Sequence, residues 1–191
     1  MDGADGFGKR IWVAAPGGIA EKLGEILTQT GYPAHTLCTS GAQVLEQAKE
    51  QPPLMVVVTQ RLSDMTGAEL IMHLGEQTSA ILILPQGETP DVTLPESVVV
   101  MHNPLSKDVF VQTVHVLARM SLRVHQLNRE VARLERMLTE RKLVDRAKGR
   151  LMDEKQMSES DAHHYIQKRS MDSGKRLAEV AQEILEEQMA G

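Results

Sequence analysis

Five short apolar segments recur through the first hundred residues, separated by stretches of helical or loop character. Within each segment the apolar residues follow one another without polar alternation, which is typical of strands buried on both faces of a sheet. Such strands, alternating with helices, predict a parallel sheet in a doubly wound α/β domain. The five segments are residues 9–16, 34–40, 54–59, 80–85 and 97–104.

The rhythm breaks between the last two apolar segments. Residues 86–97 contain two prolines and show no helical periodicity. We therefore expect an irregular loop or a turn in place of the helix that would connect these strands.

The amino-acid composition indicates the kind of core and the cellular compartment to expect. Hydrophobic residues make up 41% of the chain, enough for a core, whereas aromatic residues make up only 3% and leave few rings on which bases could stack. The single cysteine, Cys38, cannot form an internal disulfide, which fits a reducing compartment. We find no leader sequence and no apolar run of membrane-spanning length, so we expect a cytoplasmic protein without a membrane partner.

From Ser106 to Gly149 the chain carries no turn signal, which predicts one helix of about forty residues. Its apolar positions are spaced alternately by three and four residues, the heptad pattern of a coiled coil. A helix packed on the sheet would show a broader stripe with a period of 3.6 residues. The narrow seam favours a parallel homodimer, and its residues are Leu117, Met120, Val124, Leu127, Val131, Leu134 and Leu138.

The C-terminal end differs in charge from the rest of the chain, whose overall net charge is −5. Residues 141–176 hold ten Lys and Arg against six Asp and Glu. This distribution suggests a site for a polyanion, although a solvated helix surface has a similar composition. Helical periodicity and turn signals predict a three-helix bundle here. The predicted domains are residues 9–105, 106–140 and 141–190.

The N-terminal half resembles a response-regulator receiver domain, with a flavodoxin-like fold, in the loop "RLSDMTG" (61–67) and in the Asn103-Pro104 step. The resemblance places uncharged residues at every charged position of the family's phosphorylation site. The acidic pair, the phosphoacceptor aspartate, the switch hydroxyl and the lysine correspond to Ala15, Pro16, Thr59, Pro85 and Asn103.

Aspartyl phosphorylation needs carboxylates for Mg²⁺ and cationic compensation for the phosphoryl charge. Thr59 supplies one neutral hydroxyl, and Asp64 is a lone carboxylate in the loop. We therefore predict a pseudo-receiver that serves for binding and dimerisation, with no metal and no cofactor. An ordinary doubly wound domain, unrelated to receivers, is the alternative.

The C-terminal segment "RAKGRLMDEKQMSESDAHHYIQKRSMDSGKRLAEVAQEIL" resembles the ANTAR domain. Receiver-like domain, coiled coil and ANTAR domain in this order resemble the AmiR/NasT group of antitermination regulators. The resemblance implies binding to paired hairpins in leader mRNA, which prevents a terminator from forming. The lost phosphorylation site implies control by a small-molecule-sensing regulatory protein.

Seven residues of the bundle are candidates for RNA contact. Lys148 and Arg169 lie at the margin of the predicted core, where a long cation either covers apolar neighbours or meets a phosphate or a base. Arg146 and Arg150 are expected on the opposite face of their helix, and Tyr165 is expected first of all to be a core residue with its hydroxyl outward. The candidates are Lys148, Arg169, Lys175, Arg176, Arg146, Arg150 and Tyr165.

Two other functions compete with RNA binding. A DNA-binding transcription factor would share the receiver-plus-bundle plan, but Glu179, Glu183, Glu186 and Glu187 on its third helix would repel phosphates. A protein-interaction scaffold requires that the basic bundle bind no nucleic acid. We find no pair of nucleophile and base, metal cluster or phosphate loop, so the sequence does not predict an enzyme.

Overall fold

The computed structural model describes residues 10–33 and 35–187. The predicted domain limits at Lys9 and at residues 188–190 lie outside this part of the chain. The strands are β1 (Ile11–Ala14), β2 (Thr36–Cys38), β3 (Met55–Thr59), β4 (Ser79–Leu84) and β5 (Val98–His102). The helices are α1 (Gly17–Gln29), α2 (Gly41–Glu50), α3 (Gly67–Leu74), α4 (Lys107–Lys155), α5 (Glu159–Ser173) and α6 (Leu177–Glu186).

The five strands form one parallel sheet in the order β2-β1-β3-β4-β5. This is the strand order of flavodoxin-like, doubly wound domains. The central strand β3 is buried along its whole length, because helices cover both of its faces. The predicted fold class is confirmed.

Side chains alternate across β3 and so contribute to two separate core clusters. Val57 lies in the cluster that contains Leu27 of α1 and Phe110 of α4. Val56 lies in the cluster that contains Leu70 of α3, and α2 packs on the same face. Both faces of the sheet are therefore shielded from water, which explains the continuous apolar character of the strands.

Residues 85–97, between β4 and β5, contain no helix, as their prolines predict. Glu88 anchors this loop on two sides. Its carboxylate pairs with Arg61 at 3.3 Å, and its backbone carbonyl lies 2.9 Å from a ring nitrogen of His102. The edge strand β5 is only partly covered, and Val98 to Met101 are half-buried.

Helix α4 is 49 residues long and passes through three environments. Its beginning packs on the sheet, where Phe110, Val114 and Leu117 join the first core cluster. Residues 126–142 are exposed on every side. Its end enters the C-terminal bundle through Ala147 and Leu151. The helix continues past Gly149 and ends at Lys155, within the segment 154–157 where the sequence predicts a turn.

The structure corrects one position of the predicted coiled-coil seam. Leu117 is only 7% exposed and belongs to the core beneath the sheet, whereas its neighbour Val116 is 60% exposed. The sheet-packed part of α4 has the 3.6-residue period of a straight helix, so its outer face drifts away from a strict 3.5-residue repeat. The remaining seam residues are 47–59% exposed and are Met120, Val124, Leu127, Val131, Leu134 and Leu138.

The C-terminal bundle consists of the end of α4 together with α5 and α6. Ser158 begins α5 by accepting a hydrogen bond from the Asp161 N–H at 3.2 Å, as its sequence context predicts. Gly174 ends α5 with a φ of 67°, a left-handed conformation that glycine adopts without strain. Three alanines, Ala147, Ala162 and Ala181, are fully buried in the core, together with Ile166 and Val180.

The chain divides into two compact units, one extending to Gln126 and one beginning at Leu127. This division falls within α4, so the predicted domains 9–105, 106–140 and 141–190 stay predictions about function. Within residues 10–33 and 35–187, no helix combines the length and the apolar character needed to cross a membrane.

Candidate nucleic-acid interface

The five positions predicted to form a degenerate phosphorylation site follow the carboxyl ends of four parallel strands, or form those ends. Ala15 is fully buried, and its N–H donates to the carbonyl of Cys38 at 3.1 Å. The hydroxyl of Thr59 donates to the carbonyl of Arg61 at 3.3 Å. The N–H of Asn103 donates to the carbonyl of Leu84 at 2.9 Å. These groups are used in backbone hydrogen bonds of the fold.

The other two positions are prolines that lack a side-chain donor or acceptor. Pro16 precedes α1, and Pro85 follows β4. Within the described part of the chain, no group of three or more His, Cys, Asp or Glu residues is arranged to hold a metal ion.

The one carboxylate in the β3–α3 loop binds the start of a neighbouring helix. The two oxygens of Asp64 accept hydrogen bonds from the N–H groups of Gly41 and Ala42, both at 2.8 Å. The Ala42 and Gly41 N–H groups hold the pKa of the Asp64 carboxyl below its usual range. Asp64 therefore stabilises the N-terminus of α2, where free N–H groups favour a negative charge.

The same loop starts α3 through a reciprocal pair of hydrogen bonds. The Thr66 hydroxyl accepts from the Glu69 N–H at 3.1 Å, and the Glu69 carboxylate accepts from the Thr66 N–H at 2.8 Å. This is a capping box, which satisfies N–H groups at a helix start. A β-carbon on Gly67 would lie 2.4 Å from the Thr59 carbonyl oxygen, so only glycine fits there.

Lys148 links the first and second helices of the bundle. Its ammonium lies 2.9 Å from carboxylate oxygens of both Asp145 and Glu159, and its side chain is 17% exposed. Hydrogen bonds to Asp145 and Glu159 raise the pKa of Lys148. The residue lies at the core margin, as predicted, but carboxylates already bind its charge.

Arg169 links α5 to the end of α6. Its guanidinium donates to the Glu187 carboxylate and lies 3.6 Å from an oxygen of Glu183. The bond to Glu187 raises the pKa of Arg169, and Arg169 in turn lowers the pKa of Glu187. Lys175 also donates to the Glu183 carboxylate. The acids of α6 and its C-terminal end thus partly neutralise the basic surface. The charge count over residues 141–176 did not indicate this, because Glu183 and Glu187 lie beyond that range.

The predicted orientation of Arg150 is wrong. Its side chain lies against α6, where it donates to the carbonyl of Leu185 at 2.7 Å, and it also binds Glu154 at 2.8 Å. The carbonyls at the end of a helix lack intrahelical partners and attract a cation. Arg150 therefore caps α6. Arg146 is exposed, as predicted.

Lys175 and Arg176 were predicted to lie in the first turn of α6. The structure places both residues immediately before that helix. Arg176 is the N-cap residue, and its N–H donates to the Glu179 carboxylate at 2.9 Å. That carboxylate occupies the helix N-terminus, which lowers the attraction of this position for another anion.

Among residues 10–33 and 35–187, four exposed cations of the bundle have no carboxylate within 4 Å and, unlike Lys155, no contact with an aromatic ring. Two of them, Lys142 and Lys168, were not among the predicted contacts. The sequence did not single these two lysines out, because acids do lie at helical spacing from them. Asp145 lies three residues after Lys142, and Asp172 lies four residues after Lys168, yet neither acid pairs with its lysine. The four residues are Lys142, Arg146, Lys168 and Arg176.

Tyr165 is half-buried at the margin of the bundle core. The Lys155 ammonium lies over its ring, 4.8 Å from the centroid. The sequence did not indicate this cation–π contact, because Lys155 follows the predicted end of its helix.

Comparison with known proteins places the bundle in a family. Residues 132–185 match the ANTAR domain. The chain is 31% identical to the nitrate regulatory protein of Klebsiella oxytoca over 129 residues, which are 66% of this chain and 32% of that protein. It is 26% identical to the transcriptional regulatory protein PdtaR of Mycobacterium tuberculosis over 169 residues. These residues are 86% of this chain and 82% of that protein. The chain thus spans about a third of the Klebsiella relative.

Solved structures with low sequence identity show the same fold. The response regulator StyR has a TM-score of 0.62 at 14% identity, with 93% of this chain and 98% of that chain covered. The receiver domain of an HD domain-containing protein from Pseudomonas fluorescens has a TM-score of 0.51 at 15% identity, with 61% and 90% covered.

The chain thus combines a receiver-like parallel sheet with a C-terminal segment that matches the ANTAR domain. More specifically, the chain is similar in sequence to two regulatory proteins, and its C-terminal segment matches the ANTAR domain.

Proposed function

We propose that this protein is an RNA-binding transcription antitermination regulator that binds paired hairpins in leader mRNA. The observation that carries the proposal is the coincidence of the ANTAR match with the bundle that displays exposed cations. RNA phosphates attract such cations and release counterions on binding.

The cations would act in two ways. Lys142 and Arg146 have no carboxylate to displace among the described residues, so they would meet phosphates directly. Lys148 and Arg169 are held between helices by ion pairs. They would contact RNA by exchanging an exposed carboxylate for a phosphate. The attraction between these cations and the phosphate strengthens as the salt concentration falls.

A homodimer would match two bundles to two hairpins. The exposed seam of α4 repeats Val124 and Val131 at one heptad position and Leu127 and Leu134 at the other. Valine at the a position with leucine at the d position favours parallel two-stranded coils. Two bundles on one coil would each bind one hairpin, and the second binding event would become intramolecular.

Regulation would not depend on phosphorylation. Thr59 and its surroundings lack the carboxylates and the lysine that an aspartyl phosphate needs. Treatment with acetyl phosphate and Mg²⁺ should therefore leave the mass and the RNA affinity of the protein unchanged. A gain of one phosphoryl group per chain would contradict this part of the proposal. A small-molecule-sensing regulatory protein would then control access to the RNA.

Gel-shift titration tests the central proposal. The probes are a two-hairpin leader RNA, a scrambled RNA and a duplex DNA of the same length, and we expect tight binding of the first alone. Lys142→Ala with Arg146→Ala should weaken binding to all RNA sequences alike. The slope of log affinity against log salt concentration should become shallower by about 0.7 per lost phosphate contact. Lys49→Ala, an exposed lysine of the other unit, is the matched control. Equal affinity for the duplex DNA would favour a DNA-binding function.

A further inference from the structure

A groove of about 460 Å³ runs along one side of α5 and has a mixed chemical lining. The lining residues recur at helical spacing and therefore share a side of the helix. They include Tyr165, the only aromatic residue between Leu127 and Gly191. The lining consists of Tyr165, Lys168, Arg169, Asp172 and Ser173.

The ring of Tyr165 is held in place before any ligand binds. One part packs on the bundle core, and Lys155 lies 4.8 Å from its centroid. Arg169 interacts with the same side chain and is itself bound to Glu187. A ring that is already ordered loses little conformational entropy when a flat ligand stacks on it.

The charges of the groove suit a base edge better than a phosphate. Lys168 and Arg169 supply hydrogen-bond donors, and the exposed Asp172 supplies an acceptor with a full negative charge. That carboxylate repels phosphate but accepts hydrogen bonds from the N–H groups of bases. By contrast, Lys142 and Arg146 have no carboxylate within 4 Å among the described residues, which suits contact with the RNA backbone.

We propose that this groove binds one unpaired RNA base, which stacks on Tyr165 and donates a hydrogen bond to Asp172. Lys168 donates to an acceptor on the same base. This inference rests on the proposed function and adds to it the part of the RNA that the groove recognises. Sequence-specific RNA recognition uses unpaired bases in this way, because double-stranded RNA conceals its edges.

The experiment combines protein variants with abasic RNA. Full-length protein first selects binders from a pool of paired-hairpin RNAs with randomised loops. Each loop base of a selected RNA is then removed in turn. We expect one position at which removing the base weakens binding about tenfold or more, as for the loss of one stacked base.

Tyr165→Leu should weaken binding of the intact RNA by a similar factor and leave binding of that abasic RNA unchanged. Such non-additivity identifies partners in direct contact. Tyr165→Phe retains the ring and should bind like the original protein. Asp172→Asn retains stacking but should change the base selected at that position. Met171→Ala, an 83% exposed residue of α5 outside the groove, is the control, and circular dichroism establishes that each variant is folded.

The outcomes separate this inference from the proposed function. If folded Tyr165→Leu binds the intact RNA normally, or if its effect adds fully to that of the abasic position, the groove is not a base site. If Tyr165→Leu does not fold, an unchanged base preference in Asp172→Asn and in Lys168→Ala overturns the inference. If the original protein prefers no RNA over duplex DNA, the proposed function itself is wrong.

Discussion

At the scale of single residues, the β3–α3 loop is held in place by the caps of two helices and by one close backbone approach. Asp64 caps α2, and Thr66 caps α3. Gly67 permits the close approach of the helix start to the Thr59 carbonyl. Each of these residues stabilises the fold without a phosphoryl group, so the loop does not need a phosphoacceptor to keep its structure.

Gly67→Ala tests the close approach. The new β-carbon would lie 2.4 Å from the Thr59 carbonyl oxygen and 2.8 Å from a methyl carbon of Leu82. We expect a loss of about 1–3 kcal/mol in the free energy of unfolding, as for other overpacked sites. Fluorescence of Trp12, the single tryptophan, reports unfolding of this unit in urea. Gly18→Ala, with no atom within 4 Å of the new carbon, should not destabilise the protein, and an equal loss in both variants would reject the explanation.

Asp64 predicts a pH dependence with a definite sign. Its pKa is lowered in the folded protein by the Ala42 and Gly41 N–H groups. The stabilisation is therefore present above the unfolded pKa, near 4, and is lost as the pH falls through the folded value. Asp64→Ala should lower the thermal midpoint at pH 7, and the difference from the original protein should shrink below about pH 4. Asp91→Ala, in the exposed 85–97 loop, should leave the pH 7 midpoint unchanged. A difference that grows towards acid would contradict the cap.

Several contacts of the candidate interface could not be predicted from the sequence because they join different helices. Helical periodicity placed Lys148 and Arg146 correctly. It could not show that Arg150 reaches the Leu185 carbonyl, 35 positions further along the chain. Nor could it show that Glu187 binds Arg169, because this pair depends on the packing of α5 against α6.

At the scale of elements, the hydrophobic pattern predicted the sheet correctly but predicted the environment of α4 only in part. The alternation of apolar segments predicted the parallel sheet and its strands, and the prolines of residues 86–97 predicted the missing helix. The heptad seam, however, was extended one position too far, to Leu117. A seam and a core stripe both consist of apolar residues at spacings of three and four. Only the packing of Leu117 in the sheet core separates them.

The corrected seam predicts different effects at leucines of the same helix. Leu127 and Leu134 are 48% and 47% exposed, so Leu127→Asp with Leu134→Asp should yield folded monomers that bind paired hairpins poorly. Light scattering with chromatography measures the mass. Leu117→Ala should instead cost about 2–5 kcal/mol of stability, the range for buried leucines, without changing the oligomeric state of the folded protein. A dimer that survives both aspartates would place the interface outside the seam.

At the scale of the whole molecule, the proposed function needs a means of control other than phosphorylation of the receiver-like unit. A ligand or partner can regulate such a molecule only by binding one of its states more tightly than another. The sensor protein that we propose would therefore bind a form that cannot engage both hairpins. Its small-molecule ligand would release that form.

Removal of the receiver-like unit tests this scheme. The truncation should begin at Arg119, since Phe110, Val114, Leu117 and Ala118 belong to the core of the removed unit. The remaining chain keeps the seam from Met120 to Leu138 and the whole bundle, so we expect it to bind paired hairpins in gel shifts. In cells it should prevent termination without inducer, because the surface through which the sensor holds the protein is gone. The truncated chain with Lys142→Ala and Arg146→Ala is the control and should be inactive. Continued dependence on inducer would show that the sensor binds the coil or the bundle, and the pseudo-receiver would then have no part in regulation.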